Sequence, residues 1–520
     1  MNPDYASPVS AGKKTEYRPF YAVTALIALV TGYLFIRWFV LPAQPAQALA
    51  AFIFAEGFGL LSLAVMISRY VPVRKAPPFP ACLLLAADIA LPAVYLMAGE
   101  KDISLLVSAF LIFSYPLFYL LAFGSEDGRV GDGLFFDMIK AVFVMPFASF
   151  VSVFPALVSP LRGKKAGKLI CYVLLGIVIA FVPAAIVTAL LTSADPAFSN
   201  MISDIIGTVF GNDLSEILLN IWLLIFSIPV SMYLFGMVFS NLEKRCPDVL
   251  SGENRKDLIS SAAKIPVLVV CSAVVPLLVI YFLFFISQLG YFVSAFGNMV
   301  PEGCTAAEYA RRGFFELCAV ASINLAVTFL ASALAKRSSE KPEMPVRILN
   351  SVLSLFTLVL IATAMRKMLL YIGMYGFTPL RVMTSWFMLL LALIFILVTV
   401  KQIKPAFNAV GISFAAAVVM FAVLCLSDPD ARVVQANVWL YQTGRLETCD
   451  TDAFSDLSDS AMPYVIPLLS DSDPETAADA RNLLEKRLSE MSGRDESWKV
   501  YSPGRHSAAE KIRAALDKSK

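Results

Sequence analysis

Eleven runs of about 20 apolar residues divide this chain, each long enough to cross a hydrocarbon core of roughly 30 Å as a helix. They cover 20–40, 46–67, 79–98, 103–123, 169–191, 217–239, 265–289, 314–335, 348–365, 384–400 and 406–426. In lipid the backbone must satisfy its own polar groups, which leaves helices for runs of this length. The reading is therefore all-α: a polytopic α-helical membrane protein of about 11 spans. Composition agrees, with 58% hydrophobic residues, only 16% charged and a mean hydropathy of +0.72. An ordinary soluble chain carries about 25% charged residues, so a soluble multidomain enzyme is excluded.

The stretch 138–158 is also apolar, but Pro146 and Pro155 interrupt it and basic residues flank it. It reads as a re-entrant or interfacial helix rather than a span. Lysines and arginines then follow the positive-inside rule. With the N-terminus cytoplasmic, twenty-three fall in the inner segments and six in the outer loops. The first run exceeds a signal-peptide core and a second follows closely, so it reads as a retained anchor. An odd number of spans leaves the C-terminus outside.

Two parts follow: a transmembrane helical domain over 1–426 and a soluble extracytoplasmic helical module over 427–520. The module holds seventeen acidic and twelve basic residues and no run able to span. Asp473 before Pro474 reads as an N-cap with proline at the first helical position. Ala480, Leu483, Leu484, Leu488 and Met491 then mark one apolar helical face, and Gly444 reads as the C-cap of a helix through Trp439 and Leu440. A further short helix fits 508–516.

Several chemistries lack their parts. His506 is the one histidine, so histidine-built metal sites and Ser/His/Asp or Cys/His arrangements have no centre. No CxxC occurs among the eight cysteines, and neither a metal nor a cofactor is implied. Cys304 and Cys449 fall on the expected outer side, where a disulfide between them is open. Gly163, Gly167 and Lys168 lack the spacing of a phosphate-binding loop. A near-zero charge balance calls for no nucleic acid.

Ionisable groups inside the membrane cost a few kcal/mol each even on lenient scales. Glu56 and Asp88 lie near the middles of the second and third spans at similar depth. Antiparallel neighbours could bring them together, and two carboxylates sharing a low-dielectric site cannot both hold their charge cheaply. The readings are a proton or cation relay, a carboxyl bonded to a helix partner, or a pair with Arg37.

A second collection gathers on the expected outer face: Asp195, Gln288, Tyr291, Glu308, Arg311, Arg312, Glu316, Arg366, Tyr371, Tyr375 and Arg381. Glu308, Arg312 and Glu316 recur at i, i+4, i+8 on one helical face. Tyrosines suit an aromatic belt and arginines can snorkel to head groups. Arginine forks also match carboxylate and phosphate. An ion-pair lock between loops and a site for an anionic head group or the module both remain open.

The run EYARRGFFEL, with FISQLGYF before it, LLTSADPAF upstream and RKMLLYIGMYGFTPLR and NVWLYQTGRLETCDTDAFSDLSDSAMPYVIPLL downstream, resembles a family of bacterial polytopic membrane proteins. That family is a domain of unknown function, the one numbered forty-one seventy-three, related to forty-one fifty-three. The resemblance runs from about 190 to about 469 and implies a bacterial inner-membrane protein with no reaction to carry over. No catalytic residue is assigned, and an enzyme is the less favoured class. The expected function is an envelope interaction or sensory/regulatory protein working on its outer face. Its partners would be membrane lipids and an envelope protein or anionic head group. The alternatives are a secondary transporter using Glu56 and Asp88, with helices broken at Pro92 and Pro116, and a membrane transferase acting on a lipid-linked phosphate.

Overall fold

The structure is a computed structural model that describes residues 19–37, 48–97, 101–125, 128–159, 176, 187–188, 190–198, 200–201, 214–245, 265–296, 314–335, 344–493 and 501–518. Its main helices are α1 (Pro19–Phe35), α2 (Ala48–Tyr70), α3 (Phe79–Ala90), α4 (Ala93–Met97), α5 (Lys101–Tyr119), α6 (Leu214–Leu242), α7 (Val267–Phe296), α8 (Phe314–Leu334), α9 (Met344–Tyr375), α10 (Pro379–Ile403), α11 (Ala409–Leu426), α12 (Pro429–Gln442), α13 (Pro474–Ser492) and α14 (Pro503–Lys518). No strand occurs among the described residues. The chain is an all-α polytopic membrane protein.

Among the described residues nine helices are long and apolar enough to span. The expectation of eleven exceeds this at two places. Helix α1 has 17 residues, shorter than any of those nine, and 169–191 lies almost entirely outside the described residues. The stretch at 138–158 belongs to a run, Leu134–Ala148 plus Phe150–Leu157, bent by 47°. Pro146 lies at the start of the four-residue helix just before the bend, where a missing N–H is tolerated. That geometry fits a broken span or a re-entrant loop.

By internal contacts the chain divides into two units, Met1–Ala43 with Ile139–Pro247, and Gln44–Met138 with Asp248–Lys520. In the first, α1 packs along α6 through small residues, the means by which apolar helices approach closely in lipid. A Cβ on Gly32 would collide with the Ser231 side chain, and one on Gly236 with the carbonyl of Pro146. The Tyr21 hydroxyl donates to Glu243, and the Tyr21 ring meets Phe239 edge-on at 4.8 Å.

In the second unit, α7, α8 and α9 are joined by a buried polar ladder. The Tyr281 hydroxyl donates to Asn324 Oδ1 at 2.6 Å, and Asn324 Nδ2 donates to Thr357 Oγ1 at 2.9 Å. Two turns of α9 earlier, Asn350 Nδ2 donates to Ser332 Oγ at 2.9 Å. Such bonds contribute roughly 1 kcal/mol each between membrane helices. Helices α10 and α11 are tied by Trp386, whose indole N–H donates to the Met420 carbonyl at 3.0 Å. Phe110 of α5 stacks on Phe421 of α11 at 5.0 Å.

The C-terminal helices α12, α13 and α14 close a core of their own around Val434, Met462, Val465, Leu468, Leu484 and Ile512, all fully buried. Asp473 accepts from the backbone N–H of Glu475 and Thr476 at 3.3 and 3.2 Å, so it caps α13 as its sequence foretells. Gly444, at φ +67°, ends α12. Its N–H reaches the Tyr441 carbonyl and that of Arg445 the Leu440 carbonyl, both at 2.9 Å, the paired pattern that a left-handed glycine permits. Phe377, from the α9–α10 connection, and Val382, from the first turn of α10, pack against this core.

Candidate functional site

Four helices bring polar groups together inside the apolar part of the second unit. Asp88 of α3 is fully buried. Ser114 Oγ of α5 donates to its Oδ1, while Oδ2 has no hydrogen-bond partner. Next to Ser114, the Tyr115 hydroxyl donates to the Ala55 carbonyl of α2 at 3.1 Å. Gly59 makes room for that ring, since a Cβ there would stand 3.2 Å from the Tyr115 oxygen and 3.1 Å from Ile89. Phe58 meets Tyr115 edge-on at 4.7 Å. One turn further, Tyr119 and Ser62 share a hydrogen bond of 3.1 Å, and Tyr95 of α4 shares one of 2.7 Å with Ser108.

Glu56 is half-buried on α2, next to Ala55, and its Oε2 is buried without a hydrogen-bond partner. No hydrogen bond joins it to Asp88. Tyr115 links the two segments, since it bonds the carbonyl of Ala55, the neighbour of Glu56, and follows Ser114, the donor to Asp88. The structure therefore collects Glu56 and Asp88 around one buried tyrosine rather than in direct contact.

Local sequence interrupts the helices around Asp88. Pro116 sits inside α5 directly after Ser114 and Tyr115, where it removes one helical hydrogen bond, and a π-helical turn, Leu120–Gly124, follows. Helix α3 ends at Ala90 and α4 begins at Ala93, with Pro92 between them. Wide turns and proline breaks are frequent where a membrane helix must present backbone or side chains to a site.

The outer-face collection is placed unevenly. Glu308, Arg311 and Arg312 lie outside the described residues, as does Cys304. Gln288 and Tyr291 fall near the end of α7 and Glu316 in the first turn of α8. Arg366 is half-buried on α9. Asp195 is exposed and accepts from the Ala197 N–H at 2.9 Å, a local cap before proline. Tyr371, Tyr375 and Arg381 do come together. The Arg381 guanidinium lies 4.0 Å over the Tyr371 ring, the Tyr371 and Tyr375 rings are 5.2 Å apart, and Arg381 Nη1 donates to the Tyr375 and Gly376 carbonyls at 3.1 and 2.5 Å. That arginine closes the C-terminus of α9, where a cation suits the helix dipole.

Sequence reasoning reached Glu56 and Asp88 but not Ser62, Ser114, Tyr115 and Tyr119. The available signal was the succession Ser114-Tyr115-Pro116 inside an otherwise apolar span. Among the described residues no group of three or more His, Cys, Asp and Glu side chains is placed to hold a metal ion. Cys449 carries a free thiol.

A family model, Domain of unknown function (DUF4153), matches residues 61–468. It is the second of the two related families that the motifs suggest, and it begins well before 190. Asp88, Ser114 and Tyr115 thus lie within it, and Glu56 lies just outside. No curated protein and no solved structure matches the chain.

Proposed function

The chain belongs to the DUF4153 family, and from that premise we propose that it is a sensory or regulatory membrane protein in which Asp88 is the responsive group. One observation carries this reading: a fully buried aspartate in a membrane helix has one oxygen on Ser114 and the other without a partner. An intramembrane carboxylate so placed can take up a proton or a cation, and groups of this kind mark functional sites in membrane helices.

The span that bears Asp88, Phe79–Met97, also supports the C-terminal module through its last helix, α4. Ser502 Oγ donates to the Leu96 carbonyl at the end of α4 at 2.9 Å. A Cβ on Gly504 would collide with the Met97 carbonyl. A change of state at Asp88 would reach the module through α3, the Pro92 break and α4. In this reading the module contacts an envelope partner outside an inner membrane, the orientation favoured by the lysine and arginine count.

The test is hydrogen–deuterium exchange of the purified protein in lipid at pH 5 and pH 8, followed over α14. Protection there, corrected for the intrinsic pH dependence of amide exchange, should differ between the two conditions in the wild type and become alike in Asp88→Asn. Equal pH response in both proteins would remove Asp88 from the mechanism. A second reading, a proton-coupled secondary transporter, draws on Pro116 and the π-helical turn beside the same carboxylate. Proteoliposomes would separate the two readings, because an acid pulse that drives solute uptake only when Asp88 is intact belongs to the transporter alone.

A further inference from the structure

A groove of about 1020 Å³ lies where the C-terminal module meets the ends of two spans. Its apolar wall includes Met97 and Leu426, the last residues of the spans Phe79–Met97 and Ala409–Leu426. Such residues mark the level at which hydrocarbon gives way to head groups. Tyr464, an amphipathic side chain suited to that level, also lines it. On the module side it is lined by Arg432, Lys511 and Lys518.

The charges have a consistent sign. Lys511 and Lys518 are exposed and have no ion partner among the described residues. Arg432 is held in place by its own neighbourhood, donating to the Ser427 carbonyl at 3.2 Å and to Gln435 Oε1 at 3.0 Å. The acidic group in the wall, Asp428, has its Oδ1 on the Ala431 N–H as the cap of α12. Three cations against one engaged carboxylate leave an anion-attracting space, in a module that is acidic overall. The volume matches the upper range of ligand sites.

We propose that this groove binds the head group of an anionic phospholipid from the adjoining leaflet, with phosphate between Arg432 and the two lysines and acyl chains descending past Met97 and Leu426. The argument for a lipid over a free anion is the floor. A soluble phosphate gains nothing from two span ends and a tyrosine at bilayer level, whereas a lipid fills both halves of the groove. The inference stands apart from the role given to Asp88, because none of its residues touches that carboxylate.

The test uses the full-length protein in nanodiscs of phosphatidylcholine with a minor fraction of phosphatidylglycerol. After mild detergent extraction, the lipid retained per protein is measured by mass spectrometry. Phosphatidylglycerol should be enriched over its share in the disc, and each of Lys511→Gln and Lys518→Gln should cut that enrichment about fivefold, the effect of one basic side chain near an anionic surface. Lys486→Gln, an exposed lysine of the same module away from the groove, should leave it unchanged. These side chains are exposed, so an unaltered melting temperature in the variants separates lipid loss from misfolding. No enrichment in the wild type, equal enrichment in the groove variants, or an equal loss in Lys486→Gln would each overturn the proposal. Displacement of the retained lipid by millimolar inorganic phosphate would also overturn it, by showing a site for the free anion.

Discussion

Among the described residues Ser114 is the one hydroxyl bonded to Asp88, and removing it is the sharpest probe of the buried site. Ser114→Ala would leave the carboxyl group with neither oxygen bonded, a loss of about 1 to 3 kcal/mol for a buried polar group. Ser62→Ala is the control, since Ser62 is equally buried but is bonded to the Phe58 carbonyl and to Tyr119. Melting in detergent should fall further for Ser114→Ala, and Asp88→Asn should offset part of that fall by removing the carboxylate. Equal melting of the two serine variants would mean that Asp88 finds another donor. In the module, burial with Asp450 and Asp471 nearby pushes the Cys449 thiol up to about 11. Only the thiolate reacts readily, so maleimide labelling of Cys449 at pH 8 should be slow in the native protein and rise sharply on unfolding.

At the scale of elements, Asp-Pro recurs as a helix start. Asp428, Asp473 and Asp195 each accept from a backbone N–H two or three residues on, and in each the proline follows directly. The Asp473 carboxyl is held below its usual range by bonds from the Thr476 hydroxyl and the Thr476 and Glu475 N–H groups. A depressed folded pKa gives stability that is complete above the ordinary carboxylate value, about 3.9, and is lost as pH falls through the lowered one. The helix content of α13 should therefore fall on acidification, and Asp473→Ala should start lower and lose that part of the pH dependence. Circular dichroism of the full chain against its variant checks it. Caps and spans were legible because a cap is a local bond and a span is a local run. The polar contacts of α2, α3 and α5 were not, because Tyr115 chooses the Ala55 carbonyl only once Gly59 has let α5 approach. Arg381 shows the same limit. The carbonyls that end α9 are partners that its charge alone does not name.

For the whole molecule, the C-terminal helices meet the membrane-spanning ones, among the described residues, at backbone groups and apolar side chains. The topology itself is open to labelling: in a cysteine-free background, an impermeant thiol reagent on intact cells should mark a cysteine at Ser470 and leave one at Ser251 unmarked, and the reverse pattern would invert the orientation. The attachment is held at Asn437 of α12, which is 6% exposed. Its Oδ1 accepts from the Phe377 N–H at 2.6 Å and its Nδ2 donates to the Phe377 carbonyl at 2.8 Å, so one side chain satisfies both backbone groups of a residue in the α9–α10 turn. Gly376 supplies the turn with φ +72°, and a Cβ there would stand 2.6 Å from the same Asn437 oxygen. Asn437→Ala leaves both Phe377 groups unpaired, at about 1 to 3 kcal/mol. Asn437→Asp keeps an acceptor for the N–H but sets a second oxygen against a carbonyl, and is expected to be worse. Gly376→Ala attacks the clamp from the other side, through strain and collision. Amide exchange at Phe377 should accelerate in all three, while Arg381, whose N–H is capped by Thr378 Oγ1 at 3.4 Å, should be least affected. Unchanged exchange at Phe377 in Asn437→Ala would place the attachment instead in the apolar packing of Phe377 and Val382 against the module core.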